Sequence, residues 1–166
     1  TRLLGSGHAV LQVKKNLKDY RDDDLVVYAD LPLLTVKTLK RVMRSHFTED
    51  NSLTLLGATL DSPSGYGRII ENGNRKVIRI TKERDATPEE RKITRVNVGV
   101  YCFKAQDLFK AIGKIRPDNR KGEYYLTDAV EVLCDMGKKV GMVITKDSSE
   151  AEGVNNRKQL AEVQKY

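Results

Sequence analysis

The sequence predicts an α/β fold with a mixed, mainly parallel sheet flanked by helices. Short apolar, β-rich runs alternate with segments whose apolar residues recur at helical spacing. The runs at 25–29 and 53–60 have the apolar character of strands buried on both faces. Turn signals built on Gly, Pro, Asn and Asp separate the segments, and there is no internal repeat and no low-complexity tract.

The first helix is expected over 7–19, opened by a glycine turn, with Val10, Leu11, Val13 and Leu17 on one face. A polar turn at 22–24 leads into the strand at 25–29, which Pro32 ends. Thr35 can cap a helix reaching 47, with Val36, Leu39, Val42 and Met43 inward. After the strand at 53–60 comes a loop at 61–65, then strands at 68–71 and 76–81 around the hairpin signal Asn72-Gly73-Asn74. Thr87-Pro88-Glu89-Glu90 has the cap, the proline and the glutamate of a capping box and opens a short helix. A strand at 96–103, helices at 106–115 and 124–136, a strand at 140–145 and a helix over 156–165 complete the chain.

With 166 residues, 39% hydrophobic and 32% charged, the chain is most simply one domain with a real core. No apolar run approaches the roughly 20 residues needed to span a bilayer. No basic-then-apolar leader opens it, so a cytoplasmic location is expected. Cys102 and Cys134 lie far apart with no metal-ligand spacing and read as buried, reduced thiols. The net charge of +7 is scattered among acids without interleaved aromatics, which argues against nucleic acid and suits a phosphate-rich small ligand or simple solubility. His8 and His46 have no nucleophile partner at a telling spacing and read as structural or surface residues.

Several residues could carry chemistry. Asp30 follows directly on the strand at 25–29, where open α/β sheets bind ligands; it is either a turn or capping carboxylate or a ligand for a hard cation such as Mg²⁺. Asn155 either caps the last helix or offers an amide oxygen to such a cation. Gly5-Ser6-Gly7 can approach a base or phosphate closely. Gly65-Tyr66-Gly67-Arg68 is a mobile-looking loop or a ligand contact. Asn97 is polar within an apolar strand and must find partners, since an unpaired buried amide costs about 1–3 kcal/mol. Tyr125 and Thr127, at the start of the helix expected over 124–136, are core or rim residues or sugar contacts.

The motifs GSGHA (5–9), VVYADLPL (26–33), GYGR (65–68), RVNVGVY (95–101), KGEYYLTD (121–128) and EGVNNR (152–157) fall in one order. Together they resemble the N-terminal uridyltransferase domain of the bacterial bifunctional UDP-N-acetylglucosamine pyrophosphorylase/glucosamine-1-phosphate N-acetyltransferase. The resemblance runs from the first residue to about Leu160 and implies the Rossmann-like nucleotide-diphospho-sugar transferase fold. The family's glycine-rich nucleotide loop has no counterpart here, so the chain is expected to be an N-terminally truncated domain. Residues 1–160 are then a partial uridyltransferase domain and 161–166 the start of a linker helix.

The resemblance implies Mg²⁺-dependent transfer of a uridylyl group from UTP to N-acetylglucosamine 1-phosphate, giving UDP-N-acetylglucosamine and pyrophosphate. Asp30 and Asn155 then hold the metal. Gly5 and Ser6 meet the nucleoside, and Tyr28, Gly67, Asn97, Tyr125 and Thr127 complete the substrate contacts. Its full enzymes also carry a C-terminal acetyltransferase domain that forms trimers. Without the nucleotide loop the isolated chain is expected to be inactive or nearly so. Three departures stand out: Leu3 where a glutamine is usual, Ala29 where a glycine is usual, and Lys82 where a sugar-binding glutamate is usual. Lysine only donates, and Glu83 points to the opposite face unless the register shifts. A nucleotidyltransferase for another sugar 1-phosphate, or a non-catalytic nucleotide-sugar-binding module, are the rival readings.

Overall fold

The computed structural model describes residues 4–14 and 22–165. Among these residues five α-helices and six strands follow one another as α1 (Ser6–Val13), β1 (Asp23–Val27), α2 (Val36–Glu49), β2 (Leu53–Thr59), β3 (Gly67–Glu71), β4 (Val77–Thr81), β5 (Arg95–Lys104), α3 (Ala105–Ile112), α4 (Asp128–Asp135), β6 (Val140–Ile144) and α5 (Arg157–Val163). The far end of the first predicted helix, with Leu17, and the departure at Leu3 lie outside the described residues.

The strands form one sheet in the order β4-β3-β5-β2-β6, with β1 also paired to β5. The sheet is mixed, as expected, but its directions differ from the expected balance. Only β2 and β6 run parallel among the described pairs; β1–β5, β2–β5, β3–β4 and β3–β5 are antiparallel. The reason lies between β2 and β5, where the chain forms a hairpin rather than a crossover helix. A strand can return antiparallel without such a crossover.

Side chains alternate along β5 and split the core in two. Tyr101 and Phe103 join Leu53, Leu55 and the apolar faces of α3 and α4. Val96, Val98, Val100 and Cys102 face the other way, onto Val42 of α2 and Ala151. β5 is paired along one edge by β2. Its other edge is shared end to end: β3 pairs at Val96 and Asn97, and β1 pairs from Val100 to Lys104. The gap at Val98–Gly99 is where the site lies.

Three local expectations are corrected. β1 is not buried on both faces, since Leu25 and Val27 are 38% and 40% exposed; among the described strands it pairs only with β5. On α2, Thr35 does cap, accepting from the Thr38 N–H at 3.2 Å. Yet Val36 and Met43 point outward, and Thr38, Val42 and His46 point in. Polar anchors turn the helix this way. The Thr38 hydroxyl donates to Glu150, and His46 Nε2 lies 3.2 Å from Asp23. The capping box at 87–90 forms reciprocally, Thr87 N–H to Glu90 and Glu90 N–H to Thr87 Oγ, but opens only a single 3₁₀ turn at Glu90–Lys92. Both cysteines are free, Cys102 buried and Cys134 half-buried, and burial pushes the Cys102 thiol up to about 12.

Candidate active site

A cavity of 440 Å³ opens at the gap along the β5 edge. Of the nine residues singled out from the sequence, Tyr28, Asp30, Gly67, Asn97, Thr127 and Asn155 line it. A larger cavity of 690 Å³ adjoins it and is lined by Tyr125 among others. Lys82 lines both. The smaller cavity holds the carboxylate–amide pair and is the candidate site on chemical grounds.

The chain leaves β5 as β1 ends. The Tyr28 N–H donates to the Gly99 carbonyl at 3.0 Å, and the Tyr28 ring lies against Gly99. Gly99 has φ +93°, and a Cβ there would come within 2.6 Å of the ring, so only glycine fits. Tyr28 also packs edge-on against Tyr101, with ring centroids 6.0 Å apart. Opposite, Gly67 of β3 stands across from Asn97 of β5. The Asn97 amide donates to the Tyr101 hydroxyl at 2.7 Å, which leaves its Oδ1 buried and without a partner among the described residues. Such an orphaned acceptor calls for a ligand or a water.

Asp30 and Asn155 come from distant parts of the chain. The Asp30 carbonyl accepts from the Val154 N–H at 2.8 Å and ties the two segments together. A Cβ on Gly153 would lie 3.4 Å from Asp30 Oδ2 and 3.6 Å from Asn155 Nδ2, so both side chains converge on one glycine. Asn155 is not the helix cap. Asn156 is: its Oδ1 accepts the Gln159 N–H at 3.0 Å, while Gln159 Oε1 accepts the Asn155 N–H at 2.7 Å. The Asn155 amide is thereby left for other work. Behind this pair, Glu150 anchors the turn at Ser148–Ala151 to the start of α2. It accepts from the hydroxyls of Thr35, Thr38 and Thr145 and from the Thr35 N–H. Burial pushes Glu150 up, but these donors win and hold it below the usual carboxylate range.

No group of three or more His, Cys, Asp or Glu among the described residues could hold a metal. One carboxylate and one amide oxygen remain. A hard cation whose other ligands are phosphate oxygens and water fits that donor set.

Tyr125, Gly5 and Ser6 lie outside the lining of this cavity. Tyr125 and Thr127 precede α4 rather than opening it, because the segment before the helix is held by the chain's start: Tyr124 N–H donates to the Leu4 carbonyl and Gly7 N–H to the Tyr124 carbonyl, each at 2.8 Å. Gly5 and Ser6 do not line the cavity. Gly5 has φ +100°, and a Cβ would press within 2.5 Å of the Tyr124 carbonyl. Ser6 Oγ accepts the Leu126 N–H at 3.0 Å. Both residues serve this docking, and the Ser6 side chain also contacts the Tyr28 phenol, which lines the cavity. Lys82 places its ammonium 3.5 Å from the centre of the Tyr125 ring. Glu83 does not replace it, being bound to the buried Arg68 at 2.7 Å and accepting the Gly65 N–H at 3.1 Å. Sequence reasoning missed this Arg68–Glu83 clamp on the 65–68 loop; nothing local signals an ion pair fifteen residues apart in sequence.

A cleft at the interrupted edge of a mixed sheet, with a carboxylate after the first strand, is matched by the family model described as nucleotidyl transferase over residues 1–150. The chain belongs to the nucleotidyl transferase family. It is 45% identical over 159 residues to the bifunctional protein GlmU of Acetivibrio thermocellus, covering 96% of this chain and 34% of that protein. It is 44% identical over 163 residues to the bifunctional protein GlmU of Pelotomaculum thermopropionicum, covering 98% and 36%. The chain thus spans only 34–36% of the length of these relatives. The fold is that of the nucleotide-diphospho-sugar transferases. A nucleoside-diphosphate-sugar pyrophosphorylase from Vibrio cholerae superposes with a TM-score of 0.74 at 14% identity, covering 100% of this chain and 67% of that one. A UDP-glucose pyrophosphorylase complexed with UDP-glucose gives 0.70 at 14% identity, covering 100% and 64%. No described helix of this nucleotidyl transferase is long and apolar enough to cross a membrane.

Proposed function

We propose that this domain transfers a uridylyl group from UTP to N-acetylglucosamine 1-phosphate, with Mg²⁺, as part of a sugar-1-phosphate nucleotidyltransferase. The observation that carries the reading is the convergence of Asp30 and Asn155 on Gly153 beside the orphaned Asn97 Oδ1. The likeness to GlmU proteins supports the choice of substrates. A sugar phosphate oxygen forms a bond to the α-phosphorus of UTP in line, and the bond to the leaving pyrophosphate breaks. No covalent enzyme intermediate is required, so the protein's work is positioning. Asn97 Oδ1 accepts a hydrogen bond from the sugar, and Thr127 and Gly67 border the same end. Tyr28 walls the cleft between sugar and nucleoside, with Gly5 and Ser6 setting the chain segment behind it. Asp30 and Asn155 would hold Mg²⁺, which supplies neutralisation of phosphate charge.

The test is calorimetric titration of UDP-N-acetylglucosamine into the chain with and without Mg²⁺, beside Asp30→Ala. Saturable binding that requires both Mg²⁺ and Asp30 is expected. Binding unchanged by either removal would overturn the metal assignment.

A further inference from the structure

The sugar end of the cleft carries positive charge without a matching acid. Lys82 and Arg84 both line the 440 Å³ cavity. Among the described residues no carboxylate lies within 4.0 Å of either side chain's nitrogens. The two acids on that lining are Asp30 and Glu83, and Glu83 is committed to Arg68 and the Gly65 N–H. Asp128 and Glu123 face Lys82 at longer range, and Asp128 lines the other cavity. Burial and the like charge of Arg84 both disfavour the Lys82 ammonium. Stacking on the Tyr125 ring holds it at the cavity wall. The ring belongs to a residue only 3% exposed, whose hydroxyl is buried and unpartnered.

We propose that Lys82 and Arg84 form an oxyanion subsite at the sugar end of this cleft, so that the bound sugar presents an anionic group to them. The proposal rests on the nucleotidyl-transfer reading of the same cavity. Two like charges converging without an ion-pair partner gain most from a ligand that carries the opposite charge. Lysine donates only, so a group that itself must donate is disfavoured beside it. Two sources share this chemistry: the phosphate of the sugar 1-phosphate, and a carboxylate on an acidic sugar.

Calorimetry on the chain with N-acetylglucosamine 1-phosphate, glucuronic acid and N-acetylglucosamine separates them. Lys82→Met is expected to weaken binding of an anionic probe by about tenfold, the scale of one charge-assisted hydrogen bond. Lys82→Arg retains it, and neither change moves the neutral sugar. Loss confined to N-acetylglucosamine 1-phosphate identifies the phosphate; loss confined to glucuronic acid identifies a carboxylate; loss of both means that the subsite accepts either. Circular dichroism shows that each variant is folded. Equal affinity of the anionic probes for wild type and Lys82→Met overturns the proposal, as does absence of saturable anion binding by the folded wild-type chain. Nucleotidyl transfer is assayed separately with UTP and Mg²⁺. Its failure while anion binding depends on Lys82 sinks the functional reading and leaves the subsite standing.

Discussion

Asn155 and Asn156 are chemically identical neighbours with different work. Asn156 closes a capping arrangement with Gln159, and Asn155 turns toward Asp30. Asn156→Ala should therefore cost about 1 kcal/mol of stability, the usual worth of an N-cap. Asn155→Ala should stay within about 0.5 kcal/mol of wild type in urea denaturation yet lose Mg²⁺-dependent ligand binding. Equal stability losses would mean that both serve the helix. Sequence alone offered Asn155 as the possible cap, one residue early, and one residue of offset lies inside the uncertainty of any helix boundary. Gly5 and Ser6 have a task that the motif did not signal. Beside the ligand contact that their pattern suggests, they dock the chain onto Tyr124 and Leu126.

The orientation of α2 depends on buried polar contacts that hydrophobic periodicity does not register. Val36 is 66% and Phe47 59% exposed, while Thr38 and His46 lie inward. Glu150, 3% exposed, joins this helix to the turn that precedes Gly153–Asn155. Removing it would strand the buried Thr38 hydroxyl and take one acceptor from the buried Thr145 hydroxyl. Glu150→Ala should cost at least about 2 kcal/mol and weaken ligand binding as the Asn155 segment loosens. A urea midpoint within error of wild type would show that the cluster contributes little. At Glu90–Lys92 the capping chemistry read from the sequence is present, and the short helix it opens is a single 3₁₀ turn. Its capping box forms, but β5 begins at Arg95 and leaves no room for a longer helix.

For the molecule as a whole, the sheet's interrupted edge creates the cleft and the charges around it set its response to pH. Burial raises the Asp128 carboxyl from its usual value to about 6, with Lys82 opposing that rise. A carboxyl raised on folding favours the protonated fold. Its stabilising contribution is complete below pH 3.8 and is lost as pH rises through about 6. Asp128→Asn should thus melt higher than wild type at pH 7, with the gap narrowing toward pH 4. A gap in melting temperature that does not change across thermal melts from pH 4 to 7 would contradict this.

The motif order was enough to name the family and to select six of the residues that line the cleft, since each of them sits in a short motif that can be read locally. The strands at 53–60 and 96–103, the hairpin around Asn72 and the Thr35 cap were legible for the same reason: period, turn chemistry and capping act within a few residues. Strand direction, the exposed face of β1, the Arg68–Glu83 clamp and the meeting of Lys82 with Tyr125 were not. Each depends on which distant segments pack together, and that is settled by the balance of burial and pairing over the whole chain.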